Sequence, residues 1–401
     1  MPATPAPPPS WDRVARHAML PQTTHDEVAR FNFLANLNRH LATYVSPGNR
    51  TVFERHVRPQ FENQNGRAFR DRHEVRRALM GDPYYAQWSA LRRNTMEMRQ
   101  QAGRSIVMRQ LEALADRAAA LTEGSPQLRL DPTVKLPRYL SEVDHHCMPG
   151  SYHTELFEGD VSAAANYDLG LFATTGGALG ALSEGGGLAV ASFVKETFPD
   201  FAPKRILDLG CGLGHNAVPI ARAYPDAEVI AVDTGAPMLR YGAARAIDMG
   251  VTNITFVQAN AENLPFETGS FDWIQTTMFW HETSRRAMER VFAEIWRLLA
   301  PKGLTLHVEQ PQYDEAMPLV EQALRDWDAF YNNEPFWSAM HGIDLFGLME
   351  DAGFDPIDMF KGKVAAKADP TLFPPSPTGA VEDHGRAAAW EAYGAWKHRA
   401  R

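Results

Sequence analysis

The sequence predicts an α/β protein, with an α-helical front half followed by a mostly parallel sheet covered by helices on both faces. Three observations carry this reading. The stretch Lys204 to Asn216, KRILDLGCGLGHN, joins an apolar run to three glycines at alternate positions. After it, apolar runs of strand length alternate with amphipathic stretches of helix length, as in parallel strands joined by crossover helices. Before it, apolar residues recur at steps of three and four, the period of helices buried on one face.

The totals set the frame. A chain of 401 residues has room for two or more domains and a sizeable core. Hydrophobic content of 44% and charged content of 22% are ordinary for a soluble globular protein. The net charge of −9 argues against a nucleic-acid partner, because phosphate binding draws on clustered Lys and Arg. Cys147 and Cys211 are too few for a disulfide framework, so a reducing compartment, the cytoplasm, is expected. No apolar run is long enough to span a membrane, and MPATPAPPPS lacks the basic start and apolar core of a secretory signal. Residues 1–20 are expected to form a disordered Pro-rich leader.

Residues 21–125 read as a helical domain. Thr24 to Glu27 has the spacing of a capping box, and Phe31, Leu34, Leu37, Leu41 and Tyr44 follow at helical steps. Asp82-Pro83 is a second start signal, leading into Tyr85, Trp88, Leu91, Thr95 and Met98. Val107, Leu111, Leu114, Ala118 and Leu121 mark a third helix, stopped by Gly124-Ser125-Pro126. Arginine is dense here, with Arg67, Arg76, Arg92, Arg93, Arg99 and Arg104 among others. Interspersed carboxylates favour solvated helix faces over a patch for an anionic substrate. These helices also offer a surface for homo-oligomer formation.

Residues 126–165 are expected to link the halves and line a pocket. They hold Asp144, His145, His146 and Cys147, then His153. Metal ligation is the weaker reading: adjacent histidines on an extended segment do not face one centre, and neither CxxC nor HExxH spacing occurs. Pocket lining by His145, His146 and His153 competes with ordinary loop hydrogen bonding. The glycine-rich passage from Gly170 to Gly187 reads either as a flexible cover over a site or as connecting loop.

The sheet is expected to use Ile206–Leu209, Glu228–Val232, Ile254–Gln258, Trp273–Thr276 and Leu304–Val308. Met288, Val291, Ile295 and Leu298 mark a helix before the last of these, ended by Pro301-Lys302-Gly303. Ligands of such sheets sit at the carboxyl ends of the strands, where strand order reverses. The informative residues are therefore Asp233 after the second strand, Asn260, Ala261 and Glu262 after the third, and Thr277 to Glu282 after the fourth. The glycines alone are compatible with a dinucleotide as well.

The series DLGCGLG, AVD, NAENLPF, FDWIQ and RLLAPKG, in this order, resembles the class I S-adenosylmethionine-dependent methyltransferases, especially the small-molecule branch. The resemblance spans residues ~160 to ~366 and implies a Rossmann-like seven-stranded sheet with a terminal reversed strand. It assigns the methyltransferase domain to residues 166–366 and leaves 367–401 as a C-terminal extension. It also implies S-adenosyl-L-methionine as cofactor. Asp208, Gly210, Gly212 and Gly214 would surround the methionine part and Asp233 would hold the ribose hydroxyls, with Thr234 and Glu262 among the cofactor contacts. Met238 would pack on the adenine, which Asn260 and Ala261 would face, Asn260 replacing a commoner Asp. Thr277 and Met278 would line the methyl-donor site, and Tyr167 resembles the upstream tyrosine that closes over the cofactor.

Methyl transfer from a sulfonium is an in-line displacement, and a base is needed only if the acceptor must lose a proton. His281 is the candidate base, with Glu282 as its orienting partner; the competing reading has His281 capping a helix. Trp280, Gln310 and Tyr313 are candidate substrate contacts, with Glu309 beside them. Three functions remain open from sequence: methylation of a small molecule with the helices closing the pocket, methylation of a protein or RNA, or cofactor binding without catalysis.

Overall fold

The computed structural model describes residues 8–365, 367 and 389–397. Its sheet is built from β1 (Leu128–Arg129), β2 (Arg205–Leu209), β3 (Glu228–Asp233), β4 (Ile254–Gln258), β5 (Phe271–Thr277), β6 (Leu299–Glu309), β7 (Met359–Ala365) and β8 (Ala389–Trp396). The strand order is β1-β4-β3-β2-β5-β6-β8-β7. β1 to β6 run parallel, and β8 is antiparallel to both β6 and β7. The chain moves outward from β2 to β4 and returns to the other side of β2 with β5. The crevice between β2 and β5 is thus the point of reversal.

Seven strands were expected and eight are present. The addition is β1, which comes from the segment expected to be a linker and closes the edge of β4. Gln127 fastens it: its amide nitrogen donates to the carbonyls of Val251 and Ile254, and its own carbonyl accepts from Phe256 N at 2.8 Å. Two further boundaries also shift. β8 lies within residues 367–401, which sequence reasoning set outside the domain, yet it sits inside the sheet with Ala392, Tyr393 and Ala395 buried. Residues 368–388 and 398–401 of that extension lie outside the described residues.

The expected leader is also packed from its described start. Trp11 stacks on Phe31 at 5.2 Å and meets the edge of Phe172 at 5.3 Å, and Met19 and Leu20 are buried. A tryptophan fixed between two rings holds the segment despite its prolines. Residues 1–7 lie outside the described residues.

The front helices do not stand apart from the sheet. One hydrophobic cluster joins Phe31, Leu34, Ile106 and Leu114 to Leu213 and Tyr241 of the α/β half. The helix Pro83–Met108, capped by Asp82 on Tyr84 N at 2.8 Å, is the longest of the described helices. Its buried stripe departs from the expected one at two positions, Leu91 and the half-buried Met98. Leu91 is 36% exposed, while Arg92 and Arg99 are 4% and 3% exposed and share the inward face with Trp88 and Met96. The helix Ser162–Thr175 crosses it, and the helix Gly185–Thr197 leads into β2. No described helix is long and apolar enough to cross a membrane.

Candidate active site

A cavity of about 290 Å³ opens at the carboxyl ends of β2, β3 and β5 and reaches back to the helix Pro83–Met108. Two chemically different regions face it.

The first is the glycine turn. Gly210, Gly212 and Gly214 have φ of 69°, 53° and 86°, a conformation that side chains resist. A Cβ at Gly210 would lie 2.3 Å from the Phe279 ring, and one at Gly214 2.9 Å from Phe256. At Gly212 the same position is open space, and this glycine lines the cavity. Asp233, at the tip of β3, accepts from Gly212 N at 2.9 Å and from Gly235 N at 2.8 Å. Burial pushes its carboxyl up while these N–H groups pull it back. Asp208 lies behind the turn, one oxygen bonded to the Gln275 amide and the other, Oδ2, buried without a partner.

Thr234, Met238, Asn260 and Ala261 line this end of the cavity. Gly214 and Glu262 do not. Gly214 faces the core, and Glu262 accepts from Tyr139 Oη at 3.1 Å and pairs with Arg290 at 2.9 Å. Tyr167 lines the cavity from the helix Ser162–Thr175, its ring 5.6 Å from that of Tyr152. One residue on, Asp168 is buried and accepts from His215, Tyr241 and His17 at 2.8, 2.7 and 3.1 Å. Burial would raise its carboxyl, but the two imidazoles hold it well below the ordinary range. His17, within the expected leader, is thereby tied to the residue that follows Gly214.

The donor set fits a nucleoside bearing a charged amino-acid tail. An unpartnered buried carboxylate oxygen stands behind a turn whose middle glycine leaves room for a ligand, and the acidic tip of β3 lines the same cavity.

The second region lies beyond β5 and β6. Thr277 and Met278 line the cavity where the first region meets this one. His281 donates from Nδ1 to Glu309 Oε1 at 2.8 Å, and Glu309 is held in turn by Trp280 N at 2.9 Å and Gln310 N at 2.8 Å. Burial alone would lower the imidazole, but the carboxylate overrides it and raises His281 to about 9. The partner of His281 is therefore Glu309 and not Glu282. Neighbouring strand tips bring them together, since β5 pairs with β6 at Thr277 and Val308.

Glu282 faces His146 instead. His146 Nδ1 lies 2.7 Å from Glu334 and its Nε2 lies 3.3 Å from Glu282, which also accepts from Tyr152 Oη at 2.6 Å. Burial opposes the charge on His146, and the two carboxylates outweigh it, raising His146 to about 10. Burial would raise Glu282, but its histidine neighbours bring it down to about 2. These three side chains are the one group among the described residues with atoms close enough for a metal. The ring uses its two nitrogens outward, one toward each carboxylate, so it bridges an ion triad and does not converge on a cation.

The other expected substrate contacts divide. Gln310 lines the cavity with its Oε1 unpartnered. Trp280 turns into the core and stacks on Phe292 at 4.4 Å. Tyr313 stacks on His341 at 4.2 Å and donates to Asp326 at 3.0 Å. His145 contacts Ser151 at 3.2 Å behind the wall, and burial lowers the half-buried His153. Sequence reasoning missed Glu334, Tyr152 and Asn332 altogether, whereas Trp337, readable from sequence as part of an aromatic wall or as core, lines the cavity. For Arg92 and Arg99 a signal existed: they are seven residues apart on the stripe that carries Trp88.

Known proteins share the methyltransferase domain of this chain. A methyltransferase-domain family model matches residues 206–303. The demethylmenaquinone methyltransferase of Thermus thermophilus is 36% identical over 27% of this chain, which spans 49% of that protein. The ubiquinone/menaquinone biosynthesis C-methyltransferase of Proteus mirabilis is 30% identical over 38% of this chain and 67% of its own length. This chain thus spans about half of the first relative and two thirds of the second. The phosphoethanolamine N-methyltransferase 2 of Haemonchus contortus, solved with S-adenosylhomocysteine, aligns over 52% of each chain at 16% identity and a TM-score of 0.37. The glycine turn, the acidic tip of β3, the family model and the Proteus mirabilis relative lead to one conclusion: the chain belongs to the class I S-adenosylmethionine-dependent methyltransferases, with S-adenosylmethionine as its cofactor.

Proposed function

We propose that this protein transfers a methyl group to a small-molecule acceptor held between the β5–β6 tips and the helix Pro83–Met108. The observation that carries the proposal is the cavity itself, lined on one side by the glycine turn and on the other by Arg92, Met96 and Arg99 of the front helices. A far wall supplied from within the chain suits a small acceptor better than a protein or RNA, which would need an open groove. The relatives named for quinone methylation match less than two fifths of this chain, so they support the donor half of the reading and leave the acceptor to the rest.

S-adenosylmethionine supplies an electrophilic methyl group on a sulfonium centre. The turn at Gly212, the tip at Asp233 and Met238 hold it, while Thr277, Met278 and Gln310 face the acceptor and keep water from the line of attack. His281 is a basic group on this wall. Held at about 9, it is an imidazolium at neutral pH and donates hydrogen bonds to an acceptor. It accepts a proton only as the pH rises toward that value. Two free cysteines, Cys147 and Cys211, support a reducing compartment.

The test is mass spectrometry of a metabolite extract incubated with the protein and isotopically labelled methyl donor. The expected result is a labelled small product. Label found only in protein or RNA, or nowhere despite cofactor binding, overturns the reading.

A further inference from the structure

We infer that Arg99 is the recognition point for an acidic group, a carboxylate or phosphate, on the methyl acceptor; this rests on the methyl-transfer reading above. Most charged side chains lining the cavity have an ionic partner in the chain. Arg92 pairs with Asp328 at 2.9 Å, His281 with Glu309, His146 with Glu282 and Glu334, and His215 with Asp168. Asp233 is answered by two backbone N–H groups. Arg99 stands apart, because among the described residues no carboxylate lies within ion-pair distance of it. Its one hydrogen bond runs from Nη1 to Thr174 Oγ1 at 2.8 Å, and Nε and Nη2 are buried without a partner.

A buried guanidinium in this state is costly unless something outside the chain completes it. Its planar fork matches carboxylate and phosphate geometry. The fold also makes room for it. Gly170 stands mid-helix, where glycine is unfavourable, and a Cβ there would lie 2.5 Å from Arg99 Nε. The helix gives up a side chain at the position where the cation passes.

The neighbours of Arg99 include Tyr152 and Glu334 of the second region, beside Tyr167 of the first. Burial lowers its guanidinium, and Tyr167, Tyr152, Cys147 and Glu334 act on its charge in the opposite sense. An acceptor carrying its negative charge at Arg99 would lie along the wall of Tyr152 and His146, with its opposite end toward Met278 and His281.

The experiment is calorimetric titration of the full chain, with and without saturating S-adenosylhomocysteine, using inorganic phosphate and benzoate as separate probes. The expected result is saturable binding of one of them, which identifies the acidic group as phosphate-like or carboxylate-like. Arg99→Gln should weaken that binding roughly tenfold or more, Arg99→Lys should restore part of it, and S-adenosylhomocysteine affinity should stay within about twofold. A thermal melt of each variant confirms that it is folded. Binding of neither probe, or equal binding in Arg99→Gln, overturns the inference. So does a loss of S-adenosylhomocysteine affinity in Arg99→Gln with 5′-methylthioadenosine unaffected, which would give Arg99 to the cofactor's own carboxylate. Failure of the unaltered chain to bind S-adenosylhomocysteine would instead strike the methyl-transfer reading and is read separately.

Discussion

The two ends of the cavity solve the same problem in different ways. At the glycine turn, Asp233 is held by backbone N–H groups close in sequence, the farther only 21 residues away. At the other end, polar groups are held by side chains of separate elements: Arg92 meets Asp328 across 236 residues, and His281 meets Glu309 from the neighbouring strand tip. A site made of backbone is preorganised by local chain geometry, whereas one made of side-chain ion pairs depends on the whole fold being in register. The first kind should tolerate changes elsewhere in the chain, and the second should not.

The largest effect that would test this contrast is on cofactor affinity. Asp233→Ala is expected to weaken S-adenosylmethionine binding roughly a hundredfold, given about 1.5–3 kcal/mol per hydrogen bond to a charged group. Glu309→Ala should leave it within about twofold. Calorimetry on both variants checks the pair, and a comparable loss in Glu309→Ala would dissolve the division between the two ends.

Next in size is the stability of the turn. Gly210→Ala places a Cβ against Phe279 at a φ of 69° and should destabilise the chain by about 2 kcal/mol in chemical denaturation. A change below ~0.5 kcal/mol would show that the turn is looser than its geometry implies.

The smallest effect concerns pH. His281 and His146 are raised in the folded chain, to about 9 and about 10, above the unfolded value near 6.5. Their ion pairs therefore contribute stability in full below about pH 6.5 and lose it as pH rises through 9 and 10. Glu309→Gln removes the His281 share, on the order of 1–2 kcal/mol. The difference in melting temperature between the unaltered chain and Glu309→Gln should accordingly shrink between pH 7 and pH 10. A difference that stays constant or widens would mean that Glu309 stabilises by packing and not by holding a charge.

The same contrast explains what was legible in the sequence. Sequence marks β4 to the residue, and β2, β3 and β5 to within one or two, because apolar runs punctuated by glycine and acidic tips are local signals. Asp208, Gly212 and Asp233 could be placed for the same reason. The partner of His281 could not, because Glu282 is its neighbour in sequence while Glu309 is its neighbour in the sheet. Arg92 and Arg99 were read with the solvated arginines, since a charged residue on a buried stripe contradicts the period that reveals the stripe. β1 and β8 escaped for different reasons. Two residues show no alternation, and β8 is separated from β7 in the chain, so nothing local marks it as filling the gap beside β6.

The position of β8 also bears on how the molecule is made. Synthesis proceeds from the N-terminus, so β6 is complete some eighty residues before the strand that pairs with its open side emerges. Until then an eleven-residue strand presents an unpaired row of backbone donors and acceptors, the kind of edge that recruits other chains. A nascent chain stalled or clipped before residue 389 would carry an intact glycine turn together with that exposed edge. The yield of soluble protein should therefore depend on the last strand more than on the segments that bind the cofactor.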